Sequence, residues 1–155
     1  MTFDEAFKLL IGHEGGYVND ARDPGGETKF GISKRAYPFE DIRNLTIERA
    51  RAIYYRDYWI RSGCERVPEA MRFDLFDTAV NSGLSRAVRL LQLAVKVDDD
   101  GEIGPVTLKA LRDADPEGLK ARFNGHRLDF LNNLAEWPTF GRGWAQRIAE
   151  NLMRA

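Results

Sequence analysis

What this sequence has little of narrows it first. Among its 155 residues there is one cysteine, Cys64, so no intrachain disulfide can form and folding does not depend on an oxidising compartment. The only histidines are His13 and His126. With Cys64 they make up the whole supply of soft metal ligands, short of the four a structural zinc site takes, so neither a metal nor any other cofactor is expected. Long apolar runs are also missing. No stretch approaches the roughly 18 residues of a membrane span. The opening MTFDEAFKLL is interrupted by Asp4, Glu5 and Lys8, unlike a secretory leader. A net charge of −1 excludes wholesale attraction to nucleic acid or to an anionic membrane. As written, the chain is expected to be made in the cytoplasm and to stay there until something else releases it.

What is present is ordinary globular material: 43% apolar, 30% charged and 11% aromatic residues, in a length that suits one domain. The charge alternates along the chain, at −4, +4, −4 and +3 over residues 1–28, 29–72, 73–119 and 120–155. Solvated helix faces account for this pattern. The functional alternative is a cationic surface meeting an anionic polymer.

Phe3, Phe7, Leu10 and Glu14 fall on one helical face, and Gly15-Gly16 is expected to end that helix. Residues 15–32 are rich in glycine and turn formers, with short β-forming pieces at Tyr17-Val18 and Phe30-Gly31-Ile32, which predicts a small irregular hairpin. From there on the pattern is helical. Thr46 opens a helix through Ile53, Tyr54, Tyr55, Tyr58 and Trp59, and Pro68 begins one running towards Asn81. Ser85 is placed to cap the next helix, and Pro105 and Pro116 start two more. Trp144, Ile148 and Leu152 share a face of the last, with Trp137 and Trp144 assigned to the core. The class is mainly α, with one small β element near the N-terminus.

Several motifs are excluded by their own spacing. If Gly101 in Asp98-Asp99-Asp100-Gly101-Glu102-Ile103-Gly104 were the glycine of a calcium loop, Lys96 and Thr107 would stand where carboxylates are required. Gly25-Gly26-Glu27-Thr28-Lys29 has the wrong order for a phosphate loop, and no serine sits in a G-x-S-x-G elbow. Glu14 is different. In the last turn of a helix, partial burial and the negative end of the helix dipole both favour the protonated carboxyl, the state a general acid needs near neutrality. Asp20, Asp23 and Thr28 follow in the glycine-rich excursion, which can fold back to oppose a carboxylate and a hydroxyl to Glu14. An acid facing a carboxylate or a held water is the arrangement used for glycosidic cleavage.

The run His13-Glu14-Gly15-Gly16-Tyr17-Val18-Asn19-Asp20, followed by Asp23-Pro24-Gly25-Gly26-Glu27-Thr28-Lys29-Phe30-Gly31-Ile32, resembles the signature of glycoside hydrolase family 108. These are N-acetylmuramidases found mainly as phage lysozymes. Phe73-Asp74, the run Asp77 to Gly83, Leu91-Gln92 and the run Asp100 to Leu108 resemble the companion peptidoglycan domain of that family, so the likeness covers essentially the whole chain. It implies a lysozyme-like helical fold, a single domain over 1–155, with a catalytic helix and β region at 1–66 and a peptidoglycan-domain-like lobe at 67–155.

The resemblance further implies cleavage of the β-1,4 bond between N-acetylmuramic acid and N-acetylglucosamine, with Glu14 as the catalytic acid. Phage lysozymes of a related family place an aspartate after eight intervening residues and a threonine after five more. Here the first interval leads to Asp23, while Thr28 follows after four, so Asp20 stays open as the partner. Tyr17, Asp20, Tyr58 and Asn81 are the expected substrate contacts, Asn81 either binding an N-acetyl group or capping its own helix. The expected partner is the peptidoglycan glycan strand, with no nucleic acid and no membrane insertion, and the expected state is a monomer. It would be held in the host cytoplasm until released to act on periplasmic peptidoglycan. Some members of the family are noncatalytic, which keeps a peptidoglycan-binding or scaffold module as the alternative.

Overall fold

Thr2 starts the first helix with a capping box: its hydroxyl accepts from the Glu5 amide, and the Glu5 carboxylate accepts from the Thr2 amide at 2.7 Å. The structure is a computed structural model and describes residues 1–12, 16–21 and 25–154. Within it the chain forms two compact units, Thr2–Asp57 and Tyr58–Ala155, the second also including Met1.

In the first unit, α1 (Phe3–Ile11) buries Phe3, Ala6 and Phe7 and stops at Gly12, whose φ of 57° lies in the region that disfavours side chains. The Gly12 amide donates to the Lys8 carbonyl. The helix therefore ends before the Gly15-Gly16 pair expected to stop it, because an earlier glycine takes the cap. The helical phase drawn from Phe3 to Glu14 is interrupted at Gly12.

Strands β1 (Thr28–Lys29) and β2 (Ile32–Ser33) pair antiparallel, Thr28 opposite Ser33 and Lys29 opposite Ile32. The two residues between them, Phe30 and Gly31, both have positive φ, 51° and 75°, as the tightest hairpin turn of matching twist requires. Gly31 is required for a second reason: a Cβ there would stand 2.5 Å from the Tyr54 hydroxyl oxygen. That hydroxyl donates to the Phe30 carbonyl at 3.0 Å and ties the turn to α2 (Ile47–Tyr54). Thr46 caps α2 as expected, accepting from the Arg49 amide. Phe3, Phe7, Ile32, Ile42, Ile53 and Tyr54 form the core of this unit. Beyond Tyr54 the chain widens into a π-helical stretch, Tyr55–Ile60, that the sequence does not signal.

The second unit is helical. Two 3-10 turns, Cys64–Arg66 and Glu69–Met71, lead into α3 (Arg72–Ser82), α4 (Leu84–Ala94), α5 (Pro105–Asp113), α6 (Pro116–Asn132) and α7 (Trp137–Met153). Every residue of α3 from Phe73 to Ala79 is buried, with α4 packed against α3, α6 against α4 and α7 against α6. Fully buried side chains such as Leu75, Phe76, Leu91 and Phe123 each contribute about 1.5–3 kcal/mol by leaving water. Pro105 and Pro116 occupy the first turns of α5 and α6, and the Asp115 carboxylate caps α6 by accepting from the Gly118 amide at 2.7 Å.

Two expectations fail here. Ser85 does not cap α4, which begins directly after Gly83; its hydroxyl accepts from Arg89 Nε at 3.3 Å. Trp137 and Trp144 are half-buried, not core, and lie near Phe140 on α7, with ring centroids 6.2 Å apart for the two tryptophans and 5.8 Å for Phe140 and Trp144. The fold is mainly α with one small antiparallel hairpin near the N-terminus, as the sequence implies. Among the described residues no helix is long and apolar enough to cross a membrane.

Candidate functional site

Glu14 and Asp23, the expected acid and its partner, lie outside the described residues, as does His13. Their sequence neighbours are described. Val18 makes a reciprocal pair of 2.8 Å backbone hydrogen bonds with Thr28, which draws the Tyr17 segment alongside β1. The Tyr17 hydroxyl donates to Glu27 Oε1 at 2.6 Å. That bond, with some help from burial, pushes the Tyr17 hydroxyl above the usual tyrosine range. The Arg43 guanidinium stands 5.7 Å from the Tyr17 ring centroid. The Thr28 hydroxyl reaches the Gly26 carbonyl only at 3.5 Å, the outer limit of a hydrogen bond, so it is nearly uncommitted among the described residues. Asp20 is half-buried on the same excursion.

The hairpin thus gathers Tyr17 and Thr28, together with a carboxylate that sequence reasoning passed over, Glu27. Its signal was its place beside Thr28 in the turn, with a tyrosine hydroxyl able to reach it from the paired segment.

Tyr58 and Asn81 belong to the other unit. Tyr58 is half-buried in the π-helical stretch, and its carbonyl accepts from the Ser62 amide and hydroxyl, the latter at 2.6 Å. Asn81 is exposed near the end of α3 and donates from Nδ2 to the Asp77 carbonyl of its own helix at 3.1 Å. Its Oδ1 makes no hydrogen bond within the described residues.

One turn inside α3 sits the most strongly held carboxylate of the unit. Asp77 is fully buried. Arg127 Nη1 donates to its Oδ2 at 2.8 Å, Asn151 Nδ2 to the same oxygen at 3.0 Å, and Arg147 to its Oδ1 through Nε at 2.7 Å and through Nη2. Burial alone would raise this carboxyl, but the Arg127 charge and the Arg147 hydrogen bond outweigh it and hold Asp77 below the usual range. One turn before it, Asp74 has the opposite balance. It too is buried, and burial lifts its pKa against a single 2.7 Å hydrogen bond from Asn124. Asp74 lines a cleft of about 780 Å³ together with Glu69, Phe73, Lys120, Asn151 and Arg154.

Gln92 is the other buried polar anchor. Its Nε2 donates to Asp100 Oδ1, the Glu102 carbonyl and Thr107 Oγ1, and its Oε1 accepts from the Gly101 amide at 2.9 Å, fastening the 98–104 turn to α4. Among the described residues no group of three or more His, Cys, Asp or Glu side chains is arranged to hold a metal ion.

The chain matches the family model described as Glycosyl hydrolase 108 over residues 7–83, and the one described as Predicted Peptidoglycan domain over residues 86–149. Among solved structures it is similar to the "Structure of Brucella abortus SagA", with 34% sequence identity and a TM-score of 0.88, covering 98% of this chain and 92% of that one. No curated protein matches it. The first match holds every residue expected to act on substrate, and together the two support a glycoside hydrolase whose partner is peptidoglycan. With both matches in series and a solved relative similar along nearly its full length, the chain belongs to the glycosyl hydrolase 108 family.

Proposed function

We propose that the chain is an N-acetylmuramidase, hydrolysing the β-1,4 bond between N-acetylmuramic acid and N-acetylglucosamine. The observation that carries this reading is the Glu14–Ile32 signature lying inside the family match. Glu14 gives its proton to the glycosidic oxygen as the bond breaks through an oxocarbenium-like state. Asp23, with Thr28, orients water or offsets the developing charge, and Asp20 is the other candidate for that place. The Thr28 hydroxyl, nearly uncommitted among the described residues, suits a group that has to hold a water. Carboxylates roughly 6.5–9.5 Å apart would invert the anomeric centre, and about 5–5.5 Å would retain it. Residues 1–66 would carry the chemistry and 67–155 the grip on the wall. In the same proposal the protein is a phage endolysin, held in the host cytoplasm until released onto periplasmic peptidoglycan, where it lyses the host.

The test is clearing of purified, outer-membrane-stripped peptidoglycan, with released fragments analysed by mass. The wild type should release fragments ending in reducing muramic acid, and Glu14→Gln should lose about a hundredfold or more. Asp20→Asn and Asp23→Asn tell the two carboxylates apart, the larger loss marking the partner. Binding without clearing by the wild type would replace the enzyme with a noncatalytic peptidoglycan-binding or scaffold module.

A further inference from the structure

The bridge between Val18 and Thr28 sorts the residues of the signature hairpin onto two faces. Side chains alternate along a strand, so Val18 and Thr28 share one face, while Tyr17, Glu27 and Lys29 share the other. Tyr17 and Glu27 are diagonal neighbours across this antiparallel pairing, within reach for an aromatic and a long side chain. They meet in the 2.6 Å hydrogen bond from the Tyr17 hydroxyl to Glu27 Oε1. Glu27 is the dominant partner of that hydroxyl and Asn19 a lesser one. The anchor is itself held, since the Glu27 carbonyl accepts from the Lys34 amide at 2.8 Å. Lys29, on the same face, donates from Nζ to the carbonyl of Arg43 at 3.1 Å, and the Arg43 guanidinium approaches the Tyr17 ring. Tyr17 is thus gripped at its hydroxyl and at its ring by two other segments of the chain.

We propose that Glu27 is a positioning residue for glycosidic cleavage, holding Tyr17, and with it the short tether to Glu14, against β1. The proposal rests on the muramidase reading and adds a residue on which the placing of its acid depends. Glu14 precedes Tyr17 by three positions, and the two between them are glycines. Glycine constrains the backbone least of all residues, so Tyr17 is the first side chain beyond Glu14 able to anchor it. A general acid must keep its proton within hydrogen-bond reach of the oxygen it protonates. A misplacement of about 1 Å can cost about a hundredfold in rate. Glu27 acts from a distance in this arrangement: it lies on the face opposite Thr28, and its carboxylate serves the tyrosine hydroxyl. A stacking partner such as Arg43 fixes the plane of the Tyr17 ring, while Glu27 fixes where the ring ends.

The experiment measures kcat and KM separately on a soluble glycan fragment of peptidoglycan. It compares the full-length wild type with Glu27→Ala, Glu27→Gln, Tyr17→Phe and the double variant of Glu27→Ala and Tyr17→Phe, recording a melting temperature for each. Glu27→Ala and Tyr17→Phe should each lower kcat about tenfold and leave KM within about twofold, because a misplaced acid weakens the transition state and not ground-state binding. Glu27→Gln keeps an oxygen that accepts from Tyr17, so its kcat should stay within about threefold of the wild type. That variant changes no side-chain length, so the test does not depend on a truncated side chain being tolerated. The double variant should be no more than about twofold slower than the slower single one, since both remove the same bond. Glu27→Gln as slow as Glu27→Ala would make the carboxylate itself a catalytic group and overturn the positioning role. The role is also overturned if Glu27→Ala raises KM alone, if it lowers the melting temperature and nothing else, or if its effect multiplies with that of Tyr17→Phe. If the wild type cuts and Glu27→Ala cuts equally fast, only this inference fails. A wild type that cuts no glycan removes the muramidase reading and this inference with it.

Discussion

Asp74 and Asp77 stand one turn apart on α3, both buried, and the protein treats them oppositely. Asp77 has its pKa held down in the folded state, so it adds stability at pH values above the ordinary carboxylate range and gives it up as pH falls through its folded pKa. Asp77→Asn should cost about 3–5 kcal/mol at pH 7, because Arg127 is left buried without its counter-charge. Asp74 has its pKa raised, so its contribution is present below the ordinary range and is lost as pH rises through the folded value. Asp74→Asn should be as stable as the wild type at neutral pH or more so, with any gain vanishing in acid. Urea unfolding of both variants from pH 3 to 8 checks the pair; parallel pH slopes would refute the opposite signs. The sequence carried a trace of this arrangement, two aspartates set in an otherwise apolar helix stripe with Phe73, Leu75, Phe76 and Ala79. It carried no trace of the partners, because Arg127, Arg147 and Asn151 arrive from 50 to 74 residues away.

Among the elements, those with strong local punctuation were legible. Thr46, Pro105 and Pro116 open helices where their chemistry says they should, and the glycine-rich stretch makes a hairpin. The misses come where several residues compete for one role or where tertiary packing decides. Gly12 ended α1 ahead of Gly15, and Gly83 left Ser85 no cap position. The tryptophans of α7 share a helical face with Ile148, but only Ile148 is buried, since a hydrophobic stripe says which side faces inward and not how deep each ring goes. The hairpin turn offers a sharp test. Gly31→Ala forces a side chain into positive φ and onto the Tyr54 hydroxyl, and should cost about 1–3 kcal/mol in chemical denaturation. Gln92→Ala should cost about 2–3 kcal/mol and speed hydrogen exchange at the Gly101 amide, because four hydrogen bonds to the 98–104 turn and α5 depend on that one side chain. An unprotected Gly101 amide in the wild type would contradict this anchoring.

Taken whole, the chain has nearly balanced charge, so its hold on the wall should come from short-range contacts. Binding to purified sacculi should change by less than about threefold between roughly 0.05 and 0.5 M salt, a range over which long-range attraction is screened away. A steep fall would show that the basic stretches at 29–72 and 120–155 dominate capture. The candidate site was the least legible part at this scale, since the Tyr17–Glu27 contact depends on the chain folding back alongside β1. The lone thiol carries a different consequence. Cys64 is buried, and burial pushes its pKa up to about 12, far from the thiolate that reacts with electrophiles. A cysteine introduced at an exposed position such as Phe39 would be the one that a maleimide meets, so the native protein can carry a dye or spin label at a chosen point without first losing its own sulfur.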